Sequence, residues 1–113
     1  NKSEILTGYY TKFGDSATDL RPLGDLFKSE VWQLAENIGV PEEIIERPPS
    51  GGLRGGETDE QDIGLAYNEL EKIYKALTNN KNLDNFEEEK IDLVKYLINN
   101  AESKLEIPVF NHN

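Results

Sequence analysis

Cysteine is absent from the 113 residues, which excludes disulfides and thiolate metal sites. No apolar run reaches membrane-spanning length, and no charged-then-apolar signal segment opens the chain. Positive charge is also scarce. Twelve Lys and Arg stand against twenty-two Asp and Glu, a net charge of −10, which argues against nucleic acid or an anionic membrane as partner. Together these absences predict a cytoplasmic protein with neither a membrane nor a nucleic-acid partner. Hydrophobic residues make up only 36%, below the globular average, so the chain has little with which to build a self-sufficient core. It opens directly on a helical pattern without an initiator methionine and reads as a segment of a longer protein.

The charge is unevenly spread. The first thirty residues hold four basic and five acidic side chains, the remainder eight and seventeen. A small anionic substrate is therefore expected near the beginning, with solvated acidic surface elsewhere.

Most of the sequence has helical periodicity. Leu6, Tyr9, Tyr10 and Phe13 predict a helix from Asn1 to about Phe13, with Gly14 as its C-terminal cap. Asp15 to Leu23 reads as a loop with room for one short strand. Asp25 can cap a second helix with Val31, Leu34, Ala35 and Ile38 as its apolar stripe, ended by Gly39. Pro41 suits the first turn of a short helix to about Glu46. Pro48-Pro49 stops it, and Ser50 to Gly56 places four glycines in seven residues. Residues 48–58 thus read as a mobile loop. Thr58 with Gln61 forms a capping box. Helix then continues through Tyr67, Leu70, Ile73, Tyr74 and Leu77 to Asn79-Asn80. A final helix over residues 85–104 carries Ile91, Val94, Leu97, Ile98 and Ala101 on one face. Trp32 and the tyrosines read as packing groups, and His112 as a solvated tail residue.

Three stretches, in this order and spacing, carry a closer resemblance. Asn1-Lys2-Ser3-Glu4 is followed by Thr7-Gly8-Tyr9-Tyr10-Thr11-Lys12-Phe13-Gly14-Asp15 and Asp19-Leu20. Next comes Pro22-Leu23-Gly24-Asp25-Leu26-Phe27-Lys28-Ser29-Glu30-Val31-Trp32. Last is Pro41 through Ser50, then Gly52-Leu53 and Gly56-Glu57-Thr58-Asp59-Glu60. They resemble the ammonia-dependent NAD synthetases, and the likeness runs from Asn1 to about Leu70.

The resemblance implies an α/β fold: a Rossmann-like parallel sheet of the ATP-pyrophosphatase kind with flanking helices. This segment would supply its mostly helical C-terminal part, with at most one strand. It implies amidation of deamido-NAD by ammonia through an adenylate, with ATP as co-substrate and Mg2+ required, in a homodimer whose deamido-NAD site lies near the subunit interface. The family's N-terminal Ser-Gly-Gly-x-Asp-Ser phosphate loop is not among these residues, so the segment alone is expected to be inactive.

By position, Glu4 matches the family's magnesium-binding glutamate, Lys28 and Ser50 its ATP contacts, and Lys12 and Asp19 its deamido-NAD contacts. Ser103-Lys104 matches a pair that is often His-Lys and contacts deamido-NAD; Lys104 can keep that role, whereas Ser103 has lost the imidazole. The residue types suit these tasks. Magnesium takes one or two carboxylates plus phosphates, and ammonium groups stabilise phosphoryl oxygens. Two readings compete: another ATP-pyrophosphatase ligase, such as a GMP or asparagine synthetase, and a non-catalytic acidic helical module.

Overall fold

The computed structural model describes residues 1–52 and 55–105, which form six helices and, among the described residues, no strand. The expected short strand between Asp15 and Leu23 is thus absent; that stretch consists of turns and bends. His112 lies outside the described residues, as do Leu53 and Arg54 of the glycine-rich loop.

Helix α1 is Lys2–Thr7. The Asn1 side chain accepts from the Glu4 amide at 3.1 Å, and Glu4 Oε2 accepts from the Asn1 main-chain nitrogen at 2.8 Å, a reciprocal cap. The helix ends at Gly8, with φ 66°, rather than continuing to Phe13. The reason is tertiary. A Cβ on Gly8 would stand 3.2 Å from Ala101 Cα and 3.3 Å from its Cβ, so only glycine supplies both the left-handed turn and the close approach to the C-terminal helix. Gly8→Ala is expected to lower stability by about 2–3 kcal/mol, from the left-handed backbone plus displacement of the helix. Chemical denaturation of the intact polypeptide measures this, and an unchanged midpoint would refute the packing argument.

Helix α2 spans Lys28–Asn37. Asp25 does not cap it: Phe27 holds the N-cap position, and its amide donates to Glu30 Oε2 at 2.8 Å. The expected apolar stripe is not buried either, with Leu34 39% and Ile38 70% exposed. Gly39, with φ 80°, does stop the helix as expected: its amide donates to Glu36 O and that of Val40 to Ala35 O, the two bonds of a Schellman motif. Helix α3, Glu42–Ile45, follows with Pro41 as N-cap.

Thr58 and Gln61 form the predicted reciprocal cap of α4, Asp59–Ile63. Helix does not run on from there. Gly64 breaks it at φ 87°, and α5 restarts at Tyr67–Thr78. The final helix, α6, is Glu88–Leu105, a few residues later at its start than predicted.

The core lies between α5 and α6. Ile63, Leu65, Tyr67, Leu70, Ile73 and Val94 form its buried centre, with Trp32, Leu77, Phe86, Ile91, Leu97 and Ile98 packed around it. Trp32 meets Tyr67 edge-on at 6.3 Å and 83°, so the packing expected of these aromatics is observed. Helix α1 rests against α6, and α2 touches α3 and α5. The radius of gyration, 15.9 Å, exceeds the roughly 13 Å of a compact domain of this length, in keeping with a small core and apolar side chains left exposed on α2 and α3.

Candidate functional site

A cleft of about 470 Å3 opens between the start of α1, the start of α2, the stretch from Ile44 to Gly51, and Asp59; Glu4, Tyr9, Tyr10, Asp15, Lys28, Arg47 and Ser50 line it with Asp59. It brings together three of the residues selected from sequence, namely Glu4, Lys28 and Ser50.

Each is held differently. Glu4 stands in the first turn of α1, where its carboxylate serves the cap and faces the cleft. Lys28 opens α2, a position that the helix dipole makes adverse for a cation. Aromatic faces offset this, since Lys28 Nζ lies 6.0 Å from the Trp32 ring centroid and 5.8 Å from that of Tyr67. Ser50 is an exposed loop residue whose hydroxyl donates to Glu57 O at 3.0 Å and accepts from the Gly52 amide at 3.2 Å. With the Asp59 amide donating to Pro49 O at 2.8 Å, these bonds pin the base of the glycine-rich loop.

The acidic floor of the cleft is Asp59, which is 5% exposed. Its Oδ2 accepts from the Tyr67 hydroxyl at 3.0 Å. Its Oδ1 and the Tyr10 hydroxyl are the two buried side-chain polar atoms without a hydrogen-bond partner among the described residues. Both residues line the cleft. A buried acceptor and a buried hydroxyl that are left unpaired are costly to a fold, and a ligand in the cleft is what could satisfy them. Neither was selected from sequence, nor was Arg47. Asp59 sits inside the Gly56-to-Glu60 motif but reads locally as an ordinary first-turn acid; its hydrogen-bond partner, Tyr67, stands eight residues away.

The neighbouring tyrosines are held neutral. Burial, reinforced by the Asp62 hydrogen bond at 2.7 Å, raises the Tyr9 pKa well above the ordinary phenol value; burial and the Asp59 charge do the same for Tyr67. An unfolded tyrosine ionises near pH 10, whereas these two retain their protons there. Their contribution to stability is therefore complete below about pH 10 and is lost as pH rises further. Alkaline titration by phenolate absorbance is expected to show Tyr9 and Tyr67 ionising late, together with unfolding. Ionisation of both at the ordinary phenol value would contradict this environment.

A second cleft, of about 690 Å3, shares Tyr9, Tyr10, Asp15 and Gly51 with the first and adds Lys104. Lys104 Nζ donates to Gly8 O at 2.6 Å and Tyr10 O at 3.0 Å, so two of its three N–H groups hold the turn after α1 against α6. Ser103 is exposed and donates to Asn100 O at 2.7 Å within its own helix. Lys12 and Asp19 line neither cleft; the Lys12 ammonium lies 5.8 Å from the Phe13 ring centroid, and Asp19 is exposed. Among the described residues no cluster of three or more His, Asp or Glu side chains could cage a metal. The Glu4 carboxylate is a hard oxygen donor lining the cleft, which suits Mg2+ held largely by substrate phosphates and water rather than by protein alone.

Residues 1–108 match the NAD synthase family. The chain belongs to that family. It is 44% identical over 116 residues to the NH(3)-dependent NAD(+) synthetase of Thermococcus sibiricus, covering 96% of this chain and 46% of that protein. It is 47% identical over 114 residues to the enzyme of the same name from Methanocaldococcus jannaschii, covering 96% and 44%. Among solved structures it superposes on the NMN synthetase of Francisella tularensis with a TM-score of 0.80 and 30% identity, over 100% of this chain and 44% of that one. The six helices are thus a part of the Rossmann-like ATP-pyrophosphatase fold, as the resemblance implied, and the chain spans less than half the length of the curated relatives it matches.

Proposed function

We propose that this NAD synthase chain, within a polypeptide of its relatives' length, amidates deamido-NAD to NAD with ammonia, consuming ATP and releasing AMP and pyrophosphate. The observation that supports this most is the first cleft, where Glu4, Lys28 and Ser50 meet two buried polar atoms that await partners.

In this reading the Lys28 ammonium neutralises charge that develops on the phosphoryl oxygens as the deamido-NAD carboxylate attacks the α-phosphate. Ser50 offers its hydroxyl to ATP. Glu4 would hold Mg2+, which when bound offsets the charge of the triphosphate. Asp59 Oδ1 accepts a hydrogen bond from a donor group of the bound ligands. The second cleft takes part of deamido-NAD, with Lys104 setting its wall and Ser103 beside it on α6. Lys12 and Asp19, which line neither cleft, enter as further deamido-NAD contacts on the family motif alone, near a homodimer interface. The exposure of Phe13 at 82% and Leu20 at 77%, beside those two residues, supports such an interface. No described helix is long and apolar enough to cross a membrane, and we place the activity in the cytoplasm.

The structural likeness to an NMN synthetase favours one second reading, in which nicotinate mononucleotide is the acceptor. Steady-state assays of the intact polypeptide decide. Supplied with ATP, Mg2+ and ammonia, it is expected to form NAD from deamido-NAD with equal yields of AMP and pyrophosphate. Faster turnover of nicotinate mononucleotide would establish the second reading. No amide product from either, by protein that binds ATP, would leave another ligase of the ATP-pyrophosphatase kind.

A further inference from the structure

Glu71 lies on α5, is 3% exposed and lines neither cleft. A buried carboxylate is costly unless its oxygens are satisfied. Here three donors converge on it. Oε1 accepts from Ser3 Oγ at 2.9 Å and from the Ser29 amide at 3.2 Å, and Oε2 accepts from Ser29 Oγ. Ser3 Oγ in turn accepts from the Lys28 amide at 3.0 Å. The carboxylate therefore joins three helices: its own, α1 through Ser3, and α2 through Ser29 and Lys28.

The start of α2 needs this arrangement. Its N-cap residue, Phe27, makes no side-chain cap, so the amides of Lys28 and Ser29 would be orphaned without an acceptor from elsewhere. They are served from α1 and α5 instead. The negative charge of Glu71 also suits a helix N-terminus and offsets the adverse placement of the Lys28 ammonium in the first turn. Ser3 directly precedes Glu4, so the same bonds that seat Lys28 also set the register of Glu4.

We propose that Glu71 is a positioning residue for the nucleotide site: it fixes Lys28 and Glu4 relative to each other across the cleft and acts on Mg·ATP through them. The proposal rests on the functional reading above, in which those two residues serve ATP and its metal.

Isothermal titration of Mg·ATP into the intact polypeptide tests it, with circular dichroism to confirm folding. Glu71→Gln keeps the side-chain volume but removes the charge and gives one position a donor facing donors. It is expected to weaken Mg·ATP binding about tenfold, the scale of one charge-assisted hydrogen bond, while deamido-NAD affinity stays within about twofold. Lys28→Met weakens binding by itself, and adding Glu71→Gln to it is expected to cost clearly less than the roughly tenfold that Glu71→Gln costs alone, because the part of its effect that runs through the Lys28 ammonium is already lost. A purely structural role would instead weaken both ligands together, and its effect would multiply with that of Lys28→Met; either result overturns the proposal. So does a folded Glu71→Gln variant with unchanged Mg·ATP affinity. Should Glu71→Gln fail to fold, Ser29→Ala removes a single hydroxyl contact and is expected to weaken Mg·ATP selectively, about threefold; unchanged affinity there refutes the idea equally. Wild-type protein that binds no ATP at all would overturn the functional reading itself, an outcome distinct from normal binding that Glu71 does not influence.

Discussion

Asp59→Asn is expected to leave the fold intact and to lower kcat/KM for the proposed amidation about a hundredfold, the loss typical of removing one well-placed polar contact in a closed site. The amide has the volume of the carboxylate, and its oxygen can still accept from the Tyr67 hydroxyl, now 3.0 Å from Asp59 Oδ2. The change falls on the other atom. Oδ1, buried and without a partner among the described residues, becomes an NH2 group, so a buried acceptor beside the cleft turns into a donor. A buried negative charge also disappears. Stability should therefore hold or rise as activity falls, the signature of a group kept for function at some cost to the fold. Steady-state kinetics and a denaturation curve on the same preparation check both halves. Full activity with reduced stability would make Asp59 a structural acid only.

The second large effect lies beneath the site. Ile73 is fully buried in the cluster that contains Tyr67, the residue whose hydroxyl holds Asp59. Ile73→Ala removes packed methyl groups and leaves a cavity, at an expected cost of about 3 kcal/mol, whereas Ile73→Val should cost about 1 kcal/mol. Against a total of about 5–15 kcal/mol for a folded domain, the first loss is severe. Urea denaturation of the intact polypeptide measures it. Equal midpoints for the alanine and valine variants would mean that the α5–α6 core is not the close-packed centre described.

These two sites differ in how far the sequence discloses them. Ile73, Leu70 and Tyr67 stand at helical spacing, and Thr58 with Gln61 spells its capping box locally, so both survive into the structure as read. Gly39 likewise stops its helix by a local device. Where expectation and structure part, the deciding contact is remote. Helix α1 stops at Gly8 rather than near Gly14 because Ala101, more than ninety residues on, presses against it. Asp25 is passed over as a cap because Ser3 and Glu71 supply acceptors to α2 from other helices. Gly64 interrupts what reads as one helix, with Leu93 Cδ2 lying 3.3 Å from the position its Cβ would take.

The candidate site divides in the same way. Glu4, Lys28 and Ser50 were legible through the motif spacing, and the fold brings all three to one cleft. Lys12 and Asp19 rest on the motif alone, since neither lines a cleft. Lys104 was legible as a cation but not as a clamp on the Gly8 and Tyr10 carbonyls. Asp59 and Tyr10 could not be singled out, because burial without a partner is a property of the packed molecule and leaves no periodic trace.

In the proposed function, deamido-NAD is adenylated at the cleft that Glu4, Lys28 and Ser50 line. Exchange of labelled pyrophosphate into ATP by the intact polypeptide, with Mg2+ and without ammonia, tests it most directly, because reversal of that single step is all it requires. Exchange is expected to depend on deamido-NAD and to collapse in Lys28→Met. Exchange supported instead by xanthosine monophosphate or aspartate, or indifferent to the loss of Lys28, would contradict the proposed function.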